Sequence, residues 1–280
     1  MRDVRETRHQ QRRRQGVLPA AERPRRRDGR RGAARRRQRG YLVARGALSR
    51  AAVLFDIGDT LVRRPDVGPG RRIADALGLG RDEARTITGW LFREPFASPR
   101  ALAERLCEAF GLSDRIAEPI GQIWYAQETE PVEVDGATAC VAAVRECGAR
   151  VGVVSNIWAP YEAGFRRACP KIVPLVETWQ LSYCAGVAKP DPTLFRAALN
   201  ALDVASAATI MVGDSLEKDV RPALALGMHA IWVTPHTETT PELDARHDAV
   251  RDAADRVRVV ADLHAARTAI LRFLADGRLV

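Results

Sequence analysis

Asp56 ends the apolar run AAVLF, and a charge rarely follows a buried strand without a task. Ser155 and Asn156 follow RVGVV in the same way, and Asp214 follows ATIMVG with Asp219 five residues further on. Lys189, one of only three lysines, stands in the proline-punctuated stretch GVAKPDPTLF. If the loops carrying these residues converge, Asp56, Asp214 and Asp219 bring two or three carboxylates to one place. Clustered carboxylates repel unless they share a cation, and hard oxygen ligands suit Mg²⁺. Ser155 supplies a hydroxyl donor and Lys189 a fixed positive charge, and backbone N–H groups at helix starts add more donors. Donors and a divalent cation around a carboxylate make a site for a phosphoryl group. The cation shields the phosphate so that an anionic nucleophile can approach, and a carboxylate can itself attack, giving an aspartyl phosphate that water hydrolyses.

The elements that must position these residues are short apolar runs alternating with helical patterns. AAVLF (51–55), RVGVVS (150–155), ATIMVGD (208–214), HAIWV (229–233) and RVRVVADL (256–263) read as strands. The runs are continuous rather than alternating, which predicts strands covered on both faces. Residues 136–149, 191–202 and 216–227 carry helical patterns between them. This alternation predicts an α/β fold, a Rossmann-like doubly wound parallel sheet. Ligands bind such sheets beyond the carboxyl ends of the strands, where the residues above fall. Residues 65–134 are helical throughout and too long for one crossover helix. They predict an inserted α-helical subdomain, so that 49–64 and 135–280 form the core.

The net charge of +9 resembles a nucleic-acid signature, but its distribution is uneven. Residues 1–50 hold 18 arginines and no lysine against 4 acids, an excess of +14, so the rest of the chain carries −5. Residues 1–48 lack apolar periodicity and read as a disordered arginine-rich tail. Nucleic-acid binding, if any, would be confined to this tail; with 41 arginines to 3 lysines in the whole chain, arginine runs carry little functional information. The tail has no apolar core segment of a secretory signal. Five cysteines, none in a C-x-x-C pair, argue against a disulfide framework or a zinc site. No apolar run is long enough to span a membrane. A soluble, reduced, cytoplasmic setting is expected.

Taken together, FDIGDTL, GVVSN, GVAKPDPTLF and MVGDSLEKDVRPALALGM resemble, in order, the four motifs of the haloacid dehalogenase-like hydrolase superfamily, over residues 51–228. The insertion falls where that family places its helical cap. The resemblance implies a Rossmann-like core with a mobile cap over 65–134. It implies Asp56 as nucleophile, with the Gly58 carbonyl and the Asp56 and Asp214 carboxylates binding Mg²⁺, and Asp219 as a further or water-mediated ligand. Ser155, Asn156 and Lys189 would hold the phosphoryl oxygens of a small phosphorylated metabolite. Plainer readings stand beside these: Asp219 as a helix-surface acid, Lys189 as a solvated loop lysine. Thr60 is expected to hydrogen-bond the local backbone. Trp90, Phe92, Phe96, Trp124 and Tyr125 are expected to form the insertion's small core, and the histidines to do no chemistry.

One position departs from the family pattern. Its phosphatases place a second Asp two residues after the nucleophile, to protonate the leaving oxygen and then activate water; here that position is Gly58 and the acid is Asp59. A missing general acid–base group costs typically ~10²–10⁴ in rate, unless Asp59 reaches the site by a backbone shift, or water serves. Two other readings follow: a catalytically weak member that binds a phosphorylated ligand or a protein partner, and a dehalogenase, which needs no such acid but has no use for the metal-type acids Asp214 and Asp219.

Overall fold

A computed structural model describes residues 51–234, 253 and 255–276. The arginine-rich segment 1–48 lies outside them. The first strand, β1 (Ala52–Phe55), is buried at every residue because it has a parallel neighbour on each side. After β2 (Val62–Arg63) come four helices: α1 (Pro69–Ala76), α2 (Arg81–Leu91), α3 (Pro99–Phe110) and α4 (Ala117–Thr129). The chain returns through β3 (Val132–Glu133), which pairs antiparallel with β2 in a two-residue ribbon. Then follow α5 (Ala137–Glu146), β4 (Arg150–Ser155), α6 (Ala159–Ala168), β5 (Thr178–Leu181), the short α7 (Ser182–Ala185), α8 (Pro192–Ala201) and β6 (Thr209–Gly213). The last described elements are α9 (Arg221–Ala225), β7 (His229–Val233), β8 (Val257–Val260) and α10 (Leu263–Asp276).

Six strands form one parallel sheet in the order β5-β4-β1-β6-β7-β8. The chain leaves β1 for β4 on one side and later returns to β6 on the other. The carboxyl ends of β1, β4 and β6 therefore flank the point where the winding reverses, the place where such sheets bind ligands. All five strands read from hydropathy form. The sequence pattern misses β5, whose residues TWQL are buried at the two ends and half-buried between. It is an edge strand, paired only with β4, so it lacks the continuous apolar run of a central strand.

Residues 216–227, read as one helix, divide in two. Leu216–Val220 forms a single π turn and α9 follows it. Pro222 has no N–H to give an i−4 carbonyl, so a regular helix cannot run through it. Helices α1–α4 pack onto the core side through α4 and α6. There Gly164 permits close approach: a Cβ on it would stand 2.6 Å from the Gln127 carbonyl oxygen and from Pro131. The Trp124 and Trp158 rings meet edge to face at 5.4 Å across the same contact. Arg167 donates to the carbonyls of Glu128 (3.0 Å), Thr129 (2.6 Å) and Pro131 (3.1 Å), satisfying acceptors left open at the end of α4. No described helix is long and apolar enough to cross a membrane, and all five cysteines are unpaired.

Candidate active site

Asp56 follows β1 directly, its N–H still in the ladder to the Val212 carbonyl at 3.0 Å. This fixes its carboxylate at the sheet's carboxyl edge, 8% exposed. Asp214 leaves β6 beside it, and Trp232 on β7 holds that loop by donating its indole N–H to the Asp214 carbonyl at 2.9 Å. One carboxylate oxygen from each of Asp56, Asp214 and Asp219 lies within 4.8 Å of the others. Asp219 comes up from the π turn under the end of β6, in space that only a glycine leaves. A Cβ on Gly213 would stand 2.4 Å from the Asp219 carboxyl carbon.

Lys189 is the cation among these acids. Its Nζ is 2.5 Å from Asp219 Oδ1, 2.9 Å from Asp56 Oδ1, and donates to the Val154 carbonyl at 2.9 Å. Only 4% of the residue is exposed, so it is no solvated loop lysine. Asn156 locks its backbone, accepting from the Lys189 N–H at 2.7 Å and donating to the Lys189 carbonyl at 2.9 Å. Burial alone would lower the ammonium's pKa; Asp219 and Asp56 outweigh it and raise it. Asp219 is fully buried, not a surface acid. Burial, opposed by Lys189, pushes its pKa up to about 6. Burial, then Asp56 and Asp219, pushes Asp214 to about 7.

These groups fit a divalent cation. Asp56 Oδ1 is buried and, despite the 2.9 Å approach of Lys189, has no aligned hydrogen bond. Burial, and after it the charge of Asp56, drives both neighbouring acids toward protonation, with Asp219 adding to the effect on Asp214, and a shared cation would relieve this. The three acids do not stand alike. Both Asp219 oxygens are engaged, Oδ1 by Lys189 and Oδ2 by the Ser215 N–H at 3.0 Å.

Asp59 lines the same cavity as Asp56, but its carboxylate is engaged by Arg64. It adopts a left-handed backbone (φ 53°), and its carboxylate takes the Arg64 N–H at 2.9 Å and the Arg64 guanidinium at 2.7 Å. Gly58 is not a steric necessity: a Cβ there meets nothing within 4 Å, and its φ is not positive. The expected Thr60 hydrogen bond to local backbone is corrected. Its hydroxyl is buried with no partner, because the Ile57 carbonyl already takes the N–H groups of Thr60, Leu61 and Val62.

A cavity of about 890 Å³ opens over the acids. Asp56, Gly58, Asn156, Lys189 and Asp214 all line it; Ser155, 1% exposed, ends β4 just behind Asn156. Its far walls hold residues that the motifs did not mark: Arg63, Phe92, Gln127, Trp158, Tyr161 and His264. Trp158 and Tyr161 lie three and six residues past Ser155, a proximity to a strand end that could have flagged them. Gln127, 1% exposed, is held at both ends, accepting from the Trp158 indole at 3.2 Å and donating to Glu130 at 2.9 Å. Of the five aromatic residues assigned to the insertion's core, Trp124 is buried and Trp90 packs on Phe110. Phe92 and Phe96 are half-buried against the same core, Phe92 also lining the cavity, whereas Tyr125 is exposed.

A family model described as haloacid dehalogenase-like hydrolase matches residues 51–227. The chain belongs to that family. A second, HAD-hydrolase-like model matches residues 186–269. A phosphoserine phosphatase of Thermus thermophilus is 54% identical over 48 residues, 17% of this chain and 19% of that protein. A glyceraldehyde 3-phosphate phosphatase of Pyrococcus abyssi is 33% identical over 100 residues, 36% of this chain and 42% of that protein. The chain thus spans less than half the length of these curated relatives. Among solved structures, a 2-haloacid dehalogenase from Pseudomonas syringae is 20% identical with a TM-score of 0.55, covering 80% of this chain and 99% of that one. That likeness establishes the fold.

Proposed function

We propose that this family member hydrolyses a small phosphorylated metabolite in two steps, through an aspartyl phosphate on Asp56. The observation that carries the reading is the buried Asp56–Lys189–Asp219 arrangement with Asp214 alongside, at the reversal point of the sheet. Asp56 attacks phosphorus along the axis of the cavity. Lys189 holds the attacking carboxylate in place and keeps positive charge where phosphoryl oxygens gather. Ser155 and Asn156, ending β4, position that lysine's loop and supply donors to the phosphoryl group. Asp56, Asp214 and the Gly58 carbonyl would hold Mg²⁺; with both oxygens engaged, Asp219 acts through water or through Lys189. When bound, Mg²⁺ neutralises phosphate charge as the anionic nucleophile approaches. Helices α1–α4 act as a cap closing residues 65–134 over the site, and the protein works in a reduced, cytoplasmic setting.

The phosphatase names of the two curated relatives support a phosphorylated substrate, and the metal-type acids weigh against halide displacement, which needs no cation. The test is phosphate release from p-nitrophenyl phosphate. It is expected to require Mg²⁺ and to be lost in Asp56→Asn. Undiminished release in that variant would end the proposal.

A further inference from the structure

Hydrolysis of a phosphate monoester at Asp56 needs one proton for the leaving group. When Asp56 displaces an alcohol from a phosphate monoester, the alkoxide must be protonated as it leaves. Among the described residues, the side chains nearest Asp56 are each engaged elsewhere, and Asp214 is one of the acids that would hold Mg²⁺, where its oxygens act as acceptors. Gly58 has no side chain and leaves its space open. Asp59 is bound through both oxygens to Arg64. The ammonium of Lys189 is surrounded by three acceptors, and both oxygens of Asp219 are taken. The Tyr161 hydroxyl gives its proton to the Arg63 carbonyl at 2.9 Å, and burial raises its pKa further. His264 lines the cavity but is paired with Asp135 at 3.1 Å and enters just after β8. That strand is three places from β1 in the sheet, about 14 Å at ~4.8 Å per strand.

We infer that the substrate is a phosphoryl donor whose leaving group departs without a proton: an acyl phosphate, or a donor with a leaving group as weakly basic as a carboxylate. The inference rests on the phosphatase reading. The proton count then closes with the residues present. Asp56 forms a bond to phosphorus, the bond from phosphorus to the acyl oxygen breaks, and the electron pair leaves on a carboxylate whose conjugate acid has a pKa of about 4. Water next attacks the phosphorus of the aspartyl-phosphate dianion. Asp56 returns as a carboxylate, and both water protons stay on the product, H₂PO₄⁻. Neither step takes a proton from the protein.

The experiment compares acetyl phosphate, p-nitrophenyl phosphate and glycerol phosphate on the wild type, Gly58→Asp and Asp56→Asn. In the wild type, kcat/KM should fall steeply from acetyl phosphate to glycerol phosphate. Gly58→Asp fills open space at an unstrained backbone position, so it should raise the glycerol phosphate rate by about 10²–10⁴, the usual worth of a general acid. The acetyl phosphate rate, whose leaving group needs no acid, should gain far less than the glycerol phosphate rate in this variant. Asp56→Asn should be inactive on all three. Wild-type rates on glycerol phosphate within about tenfold of acetyl phosphate, with Asp56→Asn inactive, would overturn the leaving-group inference and spare the phosphatase reading. So would a Gly58→Asp variant active on acetyl phosphate but no faster on the glycerol ester. No phosphate from any of the three with the wild type would overturn both.

Discussion

Replacing Lys189 by methionine keeps most of the side-chain volume and removes the charge at the centre of the site. Its Nζ stands 2.5 and 2.9 Å from two carboxylates and 2.9 Å from the Val154 carbonyl, with 1% of the side chain exposed. Breaking a buried ion pair by removing one partner costs about 3–5 kcal/mol, because the other charge is left uncompensated. The abandoned Val154 carbonyl adds about 1–3 kcal/mol. Against a typical domain stability of about 5–15 kcal/mol, Lys189→Met should be severely destabilised, though near the folding threshold rather than beyond it. Urea titration in metal-free buffer measures this, and Asp219→Asn tests its cause. In that background only the Asp56 charge and the Val154 carbonyl lose their partner, so Lys189→Met should cost measurably less than it does in the wild type. Additive costs, agreeing within about 0.5 kcal/mol, would show that the two residues are energetically independent and refute the reasoning.

The raised acids give metal-free stability a definite slope. Asp214 and Asp219, at about 7 and about 6, bind protons in the folded state that the unfolded chain releases near 3.8. Their contribution is therefore largest below about pH 4 and is lost as pH rises through 6 and 7. Thermal melts with EDTA should show this loss between pH 5 and 8, and Mg²⁺ should reverse it at pH 7.5; a Tm indifferent to Mg²⁺ at that pH would contradict the metal assignment. Arg167→Ala leaves three carbonyls at the end of α4 without their donor. We expect a loss of about 1–3 kcal/mol and faster proteolytic cleavage near residues 128–132, with an unchanged cleavage rate counting against this role.

Much of the fold was legible because its signals are local. Continuous apolar runs of the kind seen in β1 or β6 require cover on both faces, and an acid directly after such a run must sit at the sheet's edge. That is why Asp56, Asn156 and Asp214 could be placed before any contact was known. Edge strand β5 gives no such signal because an edge pairs on one side only, and the apolar period over 216–227 reads as one helix although Pro222 interrupts its hydrogen-bond ladder.

The side-chain partnerships were another matter. No spacing rule says that Lys189 meets Asp219 and Asp56 across a chain separation of 30 and 133 residues, that Gly213 clears the space for Asp219, or that Trp158 reaches Gln127 on α4. Those meetings depend on how loops close over a finished sheet. The same holds for Asp59: its position next to Gly58 can be read in the sequence, yet the pairing of its carboxylate with Arg64 depends on a left-handed turn that only the packed chain selects. Hydropathy and motif order are written along the chain, so they establish the sheet and its reactive edge. The direction of each polar side chain, and so the protons available to the reaction, is settled by contacts between distant residues.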